Sequence, residues 1–258
     1  MAVTSTRRAI VRRGRPTTDD LAVEAPLLLA LDGVTVATLM RTPGHDLELA
    51  AGWLCVESGV RRATDIVELR ACREDDLDRV HLTLAAGVRP PRPRAYLTTA
   101  ACGVCSADLL DLAPLRGAAP TPDWTVPADV LTGLPDALRA RQRTFDRTGG
   151  VHAAALATFG GELIGVFEDV GRHNAVDKVV GRALLDGRLP GSDLLLVTSG
   201  RVSFEIVQKA VAAGVAGIVA VSAPSSLAVD LAREHGLLLA GMVRDGDLNL
   251  YAGTDRVN

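Results

Sequence analysis

Three things are scarce in this sequence: cysteine, long apolar runs, and an excess of charge of either sign. Only four cysteines occur in 258 residues, and Cys55 and Cys72 stand alone. That excludes a disulfide framework and fits a reducing, cytosolic compartment. No apolar run reaches the roughly 18 residues needed to cross a bilayer. The basic start "TRRAIVRRGRP" lacks the apolar centre of a signal peptide. The formal net charge of −3 gives no reason to expect nucleic acid or an anionic membrane as a partner. No internal repeat or low-complexity segment stands out. The composition, 48% hydrophobic and 23% charged, is that of an ordinary globular chain with enough apolar residues for a core.

Apolar patterning divides the chain. Residues 1–20 read as a basic, flexible arm. Residues 21–40, "LAVEAPLLLALDGVTVATLM", read as two strands joined at Asp32-Gly33, a strong hairpin signal. A helix is expected from Asp46 to about Ser58, after the "TPGH" start. "DIVELRAC" and "LDRVHLTLA" read as strands around the turn "REDD". The proline-rich "GVRPPRPR" marks a linker, so a small α+β domain is expected over residues 21–90 and a larger α/β domain over residues 91–258.

In the second part, apolar runs alternate with helices. Gly160-Gly161 joins two strands, and "HNAVDKVVGRALLDG" reads as a helix ending at Gly187. "DLLLVTSG" and "GIVAVSA" read as buried strands, each followed by a helix with a serine at its start: Ser203 in one case, Ser225 or Ser226 in the other. "LLLAGMV" and "LNLYAG" close the chain as strands around "RDGD". Continuous apolar strands between helices predict a mostly parallel sheet covered on both faces.

Such a sheet binds ligands beyond the carboxyl ends of its strands. Three loops expected there, "EDVGRHN", "TSGRVS" and "SAPSS", are rich in small polar residues. Their helix starts suit a phosphate, which Arg172 and Arg201 could grip. The plainer reading makes Ser199, Ser203, Ser225 and Ser226 turn and cap residues only. His173 and Asp177 are four apart, either an ordinary surface pair or a histidine whose tautomer a carboxylate fixes. His152 opens an apolar strand and reads as a buried histidine.

"TTAACGVCSADLL" holds Cys102 and Cys105 as a C-x-x-C. Structural zinc would need a second close pair of ligands, and none exists. A deaminase-type zinc site from Cys102, Cys105 and His152 would need a glutamate where Ala154 stands, and the order of its motifs is reversed. A thioredoxin-type pair belongs in a fold of another layout. Persulfide carriage remains open: Cys102 precedes a helical pattern whose amide groups would favour thiolate, and a second thiol nearby can release terminal sulfur by exchange.

Several stretches together resemble the FdhD family, the formate dehydrogenase accessory sulfurtransferases. They are "EAPLLLALDGVTVATLMRTPGHDLELAAGWL", "ACGVCS", "GGVHAAAL", "EDVGRHNAVDKVVGRAL", "LLLVTSGRVSFEIVQKAVAAGV" and "VSAPSSLAVDLAREHGLLLAGMVR". The most distinctive are "RTPGHD", "GRHNAVDK" and "SGRVSFE"; the arm before residue 20 and the "GAAPTPDW" region match nothing diagnostic.

The resemblance implies a three-layer, cytidine deaminase-like main domain and a cytoplasmic homodimer. It implies a protein that accepts persulfide sulfur from a cysteine desulfurase and delivers it to molybdenum bis(molybdopterin guanine dinucleotide) for formate dehydrogenase. On this chain, Cys102 matches the persulfide cysteine and Cys105 its partner. Met242, Val243, Arg244, Asp245, Gly246 and Asp247 match the stretch that holds the cofactor. The resemblance also gives Ser199, Gly200, Arg201, Ser203, Ser225 and His173 a named ligand. No permanently bound cofactor or protein metal ligand is expected.

Overall fold

The computed structural model describes residues 2–91 and 123–258, so Cys102 and Cys105 lie outside the described residues. A hairpin of β1 (Ser5–Arg12) and β2 (Arg15–Ala22) comes first. The four-stranded sheet that follows contains β3 (Ala25–Leu31), β4 (Val34–Arg41), β5 (Ile66–Glu74) and β6 (Leu77–Leu84), with α1 (Asp46–Glu57) packed on it. After residue 123 the order is α2 (Ala128–Arg139), α3 (Arg143–Thr148), β7 (His152–Thr158), β8 (Leu163–Asp169) and α4 (Arg172–Leu185). The chain ends with β9 (Leu194–Thr198), α5 (Phe204–Ala213), β10 (Gly217–Ala220), α6 (Ser226–Glu234), β11 (Leu238–Arg244) and β12 (Asp247–Ala252).

The Asp32-Gly33 hairpin forms as expected: both residues have positive φ, 47° and 84°, and Leu31 pairs with Val34. The turn from β5 to β6 is also tight, with Asp75 and Asp76 at φ 49° and 62°. The basic arm, in contrast, is not an unstructured tail: β1 and β2 pair from Ser5↔Ala22 to Arg12↔Arg15. β1 carries Arg7, Arg8 and Arg12, β2 carries Asp19 and Asp20, and no residue of either strand is fully buried, so no buried face announces the strands. The base of the hairpin is tied down by the Val23 amide donating to the Thr4 carbonyl and Arg147 donating to Thr4 Oγ1. Helices α2 and α3 were also not apparent in the sequence. A buried proline, Pro135, interrupts the α2 pattern, and α3 is a six-residue helix whose Thr144 and Phe145 amides donate to the Glu168 carboxylate.

The larger sheet runs β12-β11-β10-β9-β7-β8. Only β9-β10 and β10-β11 are parallel pairs, while β7-β8, β7-β9 and β11-β12 are antiparallel. The sheet is therefore mixed, which corrects the expectation of a mostly parallel one. The cause lies in the connections: two-strand hairpins close both margins, and a hairpin can only make an antiparallel pair. Side chains alternate across the sheet. Ala154, Leu156, Leu196, Ile218 and Leu239 face one apolar cluster, while Ala153, Ala155, Leu195, Val197 and Val219 join Leu131, Leu134 and Leu138 of α2 in the other.

The first cluster continues through α4 and α1 into Leu27, Leu29, Val80 and Leu82 of the four-stranded sheet. Helices α1 and α4 cross with backbones in contact. A Cβ added at Gly52 would overlap the Asp177 carbonyl, and one added at Gly181 would overlap the Glu48 carbonyl. Among the described residues, no helix is long and apolar enough to cross a membrane.

Candidate functional site

Register sets the site. Ala220 pairs with Thr198, Thr198 with Ala154, and His152 with Asp169. The carboxyl ends of β8, β9 and β10 and the amino end of β7 thus share one edge. The loops leaving that edge are tied together: the Val202 amide donates to the Ala223 carbonyl (3.2 Å), and the Ser225 amide donates to the Val202 carbonyl (2.9 Å). Ser199 is occupied structurally, since its hydroxyl accepts from the Ala153 amide at 2.9 Å. Gly200 lies so close to Arg172 and His152 that an added Cβ would meet both at 3.4 Å.

Around this edge, some buried polar atoms have no hydrogen-bond partner among the described residues: Arg172 Nε, both ring nitrogens of His173, and Ser203 Oγ. Ser203 stands at the N-cap of α5 without making a side-chain cap, whereas Ser225 accepts from the Ala228 amide at 3.3 Å at the start of α6. Gly171, at the N-cap of α4, has no side chain to cap with. Two helices therefore present their amino ends uncapped by side chains, beside Arg172 and Arg201. This combination suits an anion.

The electrostatics agree. Burial and then the neighbouring Arg201 lower the Arg172 pKa, with Glu205 partly offsetting them. Burial, Arg172 and Arg201 lower that of His152. His173 is pushed down to about 3 by burial, then by Lys209, Arg172 and His152, so its imidazole is neutral at pH 7. His173 Nε2 approaches Glu205 Oε2 to 3.1 Å, but the contact falls short of hydrogen-bond geometry. Asp177 does not hold His173. It turns instead to Lys209 at 2.6 Å, so the expected histidine–aspartate pair is replaced by two rungs between α4 and α5. Glu205 and Lys209 were missed in the sequence, although their i,i+4 spacing matches that of His173 and Asp177.

The opposite side of α4 is fully bonded. The Asp169 carboxylate accepts from the Thr42 amide (3.1 Å), the Gly171 amide (2.8 Å), Asn174 Nδ2 (3.0 Å) and Lys178 Nζ (2.7 Å). Lys178 also donates to the Thr42 carbonyl, and Asn174 to the Met40 carbonyl. The "RTPGH" and "GRHNAVDK" stretches are thus two halves of one network, which joins the four-stranded sheet to α4 and fixes where α4 begins.

The profile of the FdhD/NarQ family matches residues 22–258. The chain belongs to the FdhD/NarQ family. It is 48% identical over 270 residues to the sulfur carrier protein FdhD of Streptomyces coelicolor, covering 99% of this chain and 96% of the relative. Identity is 38% to the protein of that name from Sulfolobus acidocaldarius, covering 93% and 92% of the two chains. The fold is similar to the crystal structure of a candidate formate dehydrogenase accessory protein from Desulfotalea psychrophila, with TM-score 0.76, 25% identity and 98% coverage of both chains. The hairpin of β1 and β2 lies almost wholly before the family match.

For this FdhD/NarQ chain, the stretch Met242 to Asp247 divides into parts. Met242 has φ 54°, and its amide donates to the Ser222 carbonyl (3.3 Å), which brings it to the loop edge. Val243 is fully buried in the apolar cluster on the α2 side, so it offers no surface to a ligand. Arg244 pairs with Asp247 across an exposed turn, with Asp245 and Gly246 at φ 54° and 78°. Of the two described cysteines, Cys55 is buried in α1 and burial pushes its thiol up to about 12, which removes it from thiolate chemistry. Cys72 is partly exposed on β5.

Proposed function

We propose that this chain is a persulfide sulfurtransferase that serves a formate dehydrogenase. Cys102 accepts sulfur from a cysteine desulfurase, and the sulfur passes to molybdenum bis(molybdopterin guanine dinucleotide) held as substrate at the loop edge. The observation that carries the reading is the set of buried polar atoms on Arg172, His173 and Ser203 that have no hydrogen-bond partner among the described residues, gathered at two helix starts without side-chain caps beside Arg201. Backbone amides, guanidinium groups and a free hydroxyl are complementary to the phosphates of a guanine dinucleotide. Membership of a family whose relatives are named sulfur carriers supports the sulfur step.

In the first step, the Cys102 thiolate attacks the terminal sulfur of the desulfurase persulfide. A new S–S bond forms on Cys102, and the desulfurase cysteine leaves as thiolate. In the second, the Cys105 thiolate attacks the inner sulfur of Cys102 and expels sulfide towards the cofactor. The resulting disulfide is later reduced by a cellular dithiol. The protein acts in the cytoplasm as a homodimer.

Incubation with a desulfurase and cysteine, followed by intact mass measurement, tests the first step. The wild-type chain gains one sulfur and Cys102→Ala gains none; equal loading of the two would overturn the mechanism. Guanosine diphosphate titration tests the loop edge, with Arg172→Ala binding at least about tenfold more weakly through loss of one charge-assisted contact. Complementation with Cys102→Ala and Cys105→Ala separates sulfur transfer from cofactor holding alone, since a mere chaperone would retain full activation of formate dehydrogenase.

A further inference from the structure

Cys72 has no role in the reading above, yet its surroundings are organised. On β5, Cys72 and Glu74 are two apart and therefore share a face of the sheet. His81, on the neighbouring β6, pairs with Arg70 and lies on that same face. Glu74 Oε1 is 3.3 Å from Cys72 Sγ and 3.0 Å from His81 Nε2, and the three ligand atoms all lie within 4.8 Å of one another. The turn at Asp75-Asp76 and the pairing of Glu74 with Leu77 fix the strands that carry them.

We propose that Cys72, Glu74 and His81 form a surface site for a zinc-class divalent cation. A thiolate, an imidazole nitrogen and a carboxylate oxygen are the donor types that zinc takes. Bonds of about 2.3 Å to sulfur and about 2.0 Å to nitrogen or oxygen put neighbouring ligand atoms roughly 3.3–3.6 Å apart in a tetrahedron. Two of the three edges are already near that length. The cation replaces the thiol proton that Cys72 now directs at Glu74, and that proton leaves to solvent as the metal–thiolate bond forms.

Arg79 Nε lies 3.3 Å from the second oxygen of Glu74, an ion-pair contact without hydrogen-bond geometry that keeps Oε1 turned to Cys72 and His81. Arg70, on the same face, pairs with Glu68 at 3.0 Å, which offsets part of its charge. Glu74 is 45% exposed, leaving a fourth position open to water and the ion exchangeable.

Cobalt(II) titration of the full chain carrying Cys102→Ala and Cys105→Ala tests this, because Cys55 is buried and Cys72 is then the only accessible thiol. One equivalent should bind with a near-ultraviolet thiolate-to-cobalt band and tetrahedral visible bands, and zinc should displace it. Adding Cys72→Ser should abolish the thiolate band, and adding His81→Ala should weaken binding at least about tenfold. In the chain with all other cysteines intact, Cys72→Ser should lower zinc stoichiometry by one. The absence of a thiolate band, its survival in Cys72→Ser, or an unchanged zinc stoichiometry would each overturn the proposal.

Discussion

Helix α4 has two polar neighbourhoods that differ in one respect. Towards the four-stranded sheet, Asp169, Asn174 and Lys178 are buried or nearly so, and each is hydrogen-bonded. Towards the loop edge, Arg172 and His173 carry buried atoms with no hydrogen-bond partner among the described residues, as does Ser203 across from them. An unpaired buried polar atom costs on the order of 1–3 kcal/mol. The bonded side holds the molecule together, whereas the unbonded side has polar atoms left free, among the described residues, to meet a ligand. Motifs that look equally functional in the sequence are thereby sorted by whether their polar atoms are already used.

The largest expected effect comes from breaking the bonded side. Asp169→Ala strands the Lys178 ammonium, which is 1% exposed, and frees two backbone amides. Removing one partner of such a buried pair costs roughly 3–5 kcal/mol. Urea unfolding should show that loss, and Lys178→Met a similar one. Arg172→Ala on the other side should change stability by less than about 1 kcal/mol while weakening guanosine diphosphate binding. A severe stability loss in Arg172→Ala would erase the distinction between the two sides.

The rungs between α4 and α5 lie between these extremes, and pH should resolve them. Burial raises Asp177 from 3.8 to about 6, with Lys209 partly opposing it. Between those values the folded state keeps a proton that the unfolded state has released. This contribution to stability is therefore present in acid and is lost as pH rises through about 6. His173 has the opposite sign. Its folded pKa of about 3 lies below 6.5, so the unfolded state takes up the extra proton and stability falls as pH drops below 6.5. Urea midpoints at pH 5 and pH 8 should show Asp177→Asn gaining on the wild type at the higher pH, by roughly 1–3 kcal/mol. His173→Gln should gain at the lower pH. Parallel behaviour of the two variants would mean that the rungs do not titrate separately.

Much of the fold was legible because the Asp32-Gly33 and Gly160-Gly161 turns, the apolar runs and the serines before α5 and α6 are local signals. Strand direction was not local: β7 pairs with β9, some forty residues later in the chain, and nothing in "VHAAALATF" states that the pairing is antiparallel. The first hairpin hid because Arg7 and Asp20 satisfy each other on an exposed surface and leave no apolar stripe. At the loop edge, Ser203 and Arg201 were nominated from loop composition, and Gly200 and His173 from the family resemblance; the sheet register places all four there. The surroundings of His173 were not found, since helix spacing proposes Asp177 from the same helix while packing brings Glu205 of the next to 3.1 Å without a hydrogen bond.

The two N-cap serines give the smallest effect and the finest discrimination. Ser225 accepts from the Ala228 amide, so Ser225→Ala removes a working cap and should cost about 1 kcal/mol. Ser203 occupies the same position on α5, but its hydroxyl is buried and has no hydrogen-bond partner among the described residues. Ser203→Ala should therefore leave the unfolding midpoint unchanged or raise it slightly, because it removes a buried group that lacks a partner. The same change should weaken guanosine diphosphate binding by a few-fold, since the hydroxyl would then have gained its only hydrogen bond from the ligand. Stability loss in Ser225→Ala with intact binding, set against binding loss in Ser203→Ala with intact stability, would reproduce at two single hydroxyls the division seen across α4. If Ser203→Ala instead destabilised the chain and left binding untouched, its hydroxyl would be an ordinary cap, and the anion site would lose one of its supports.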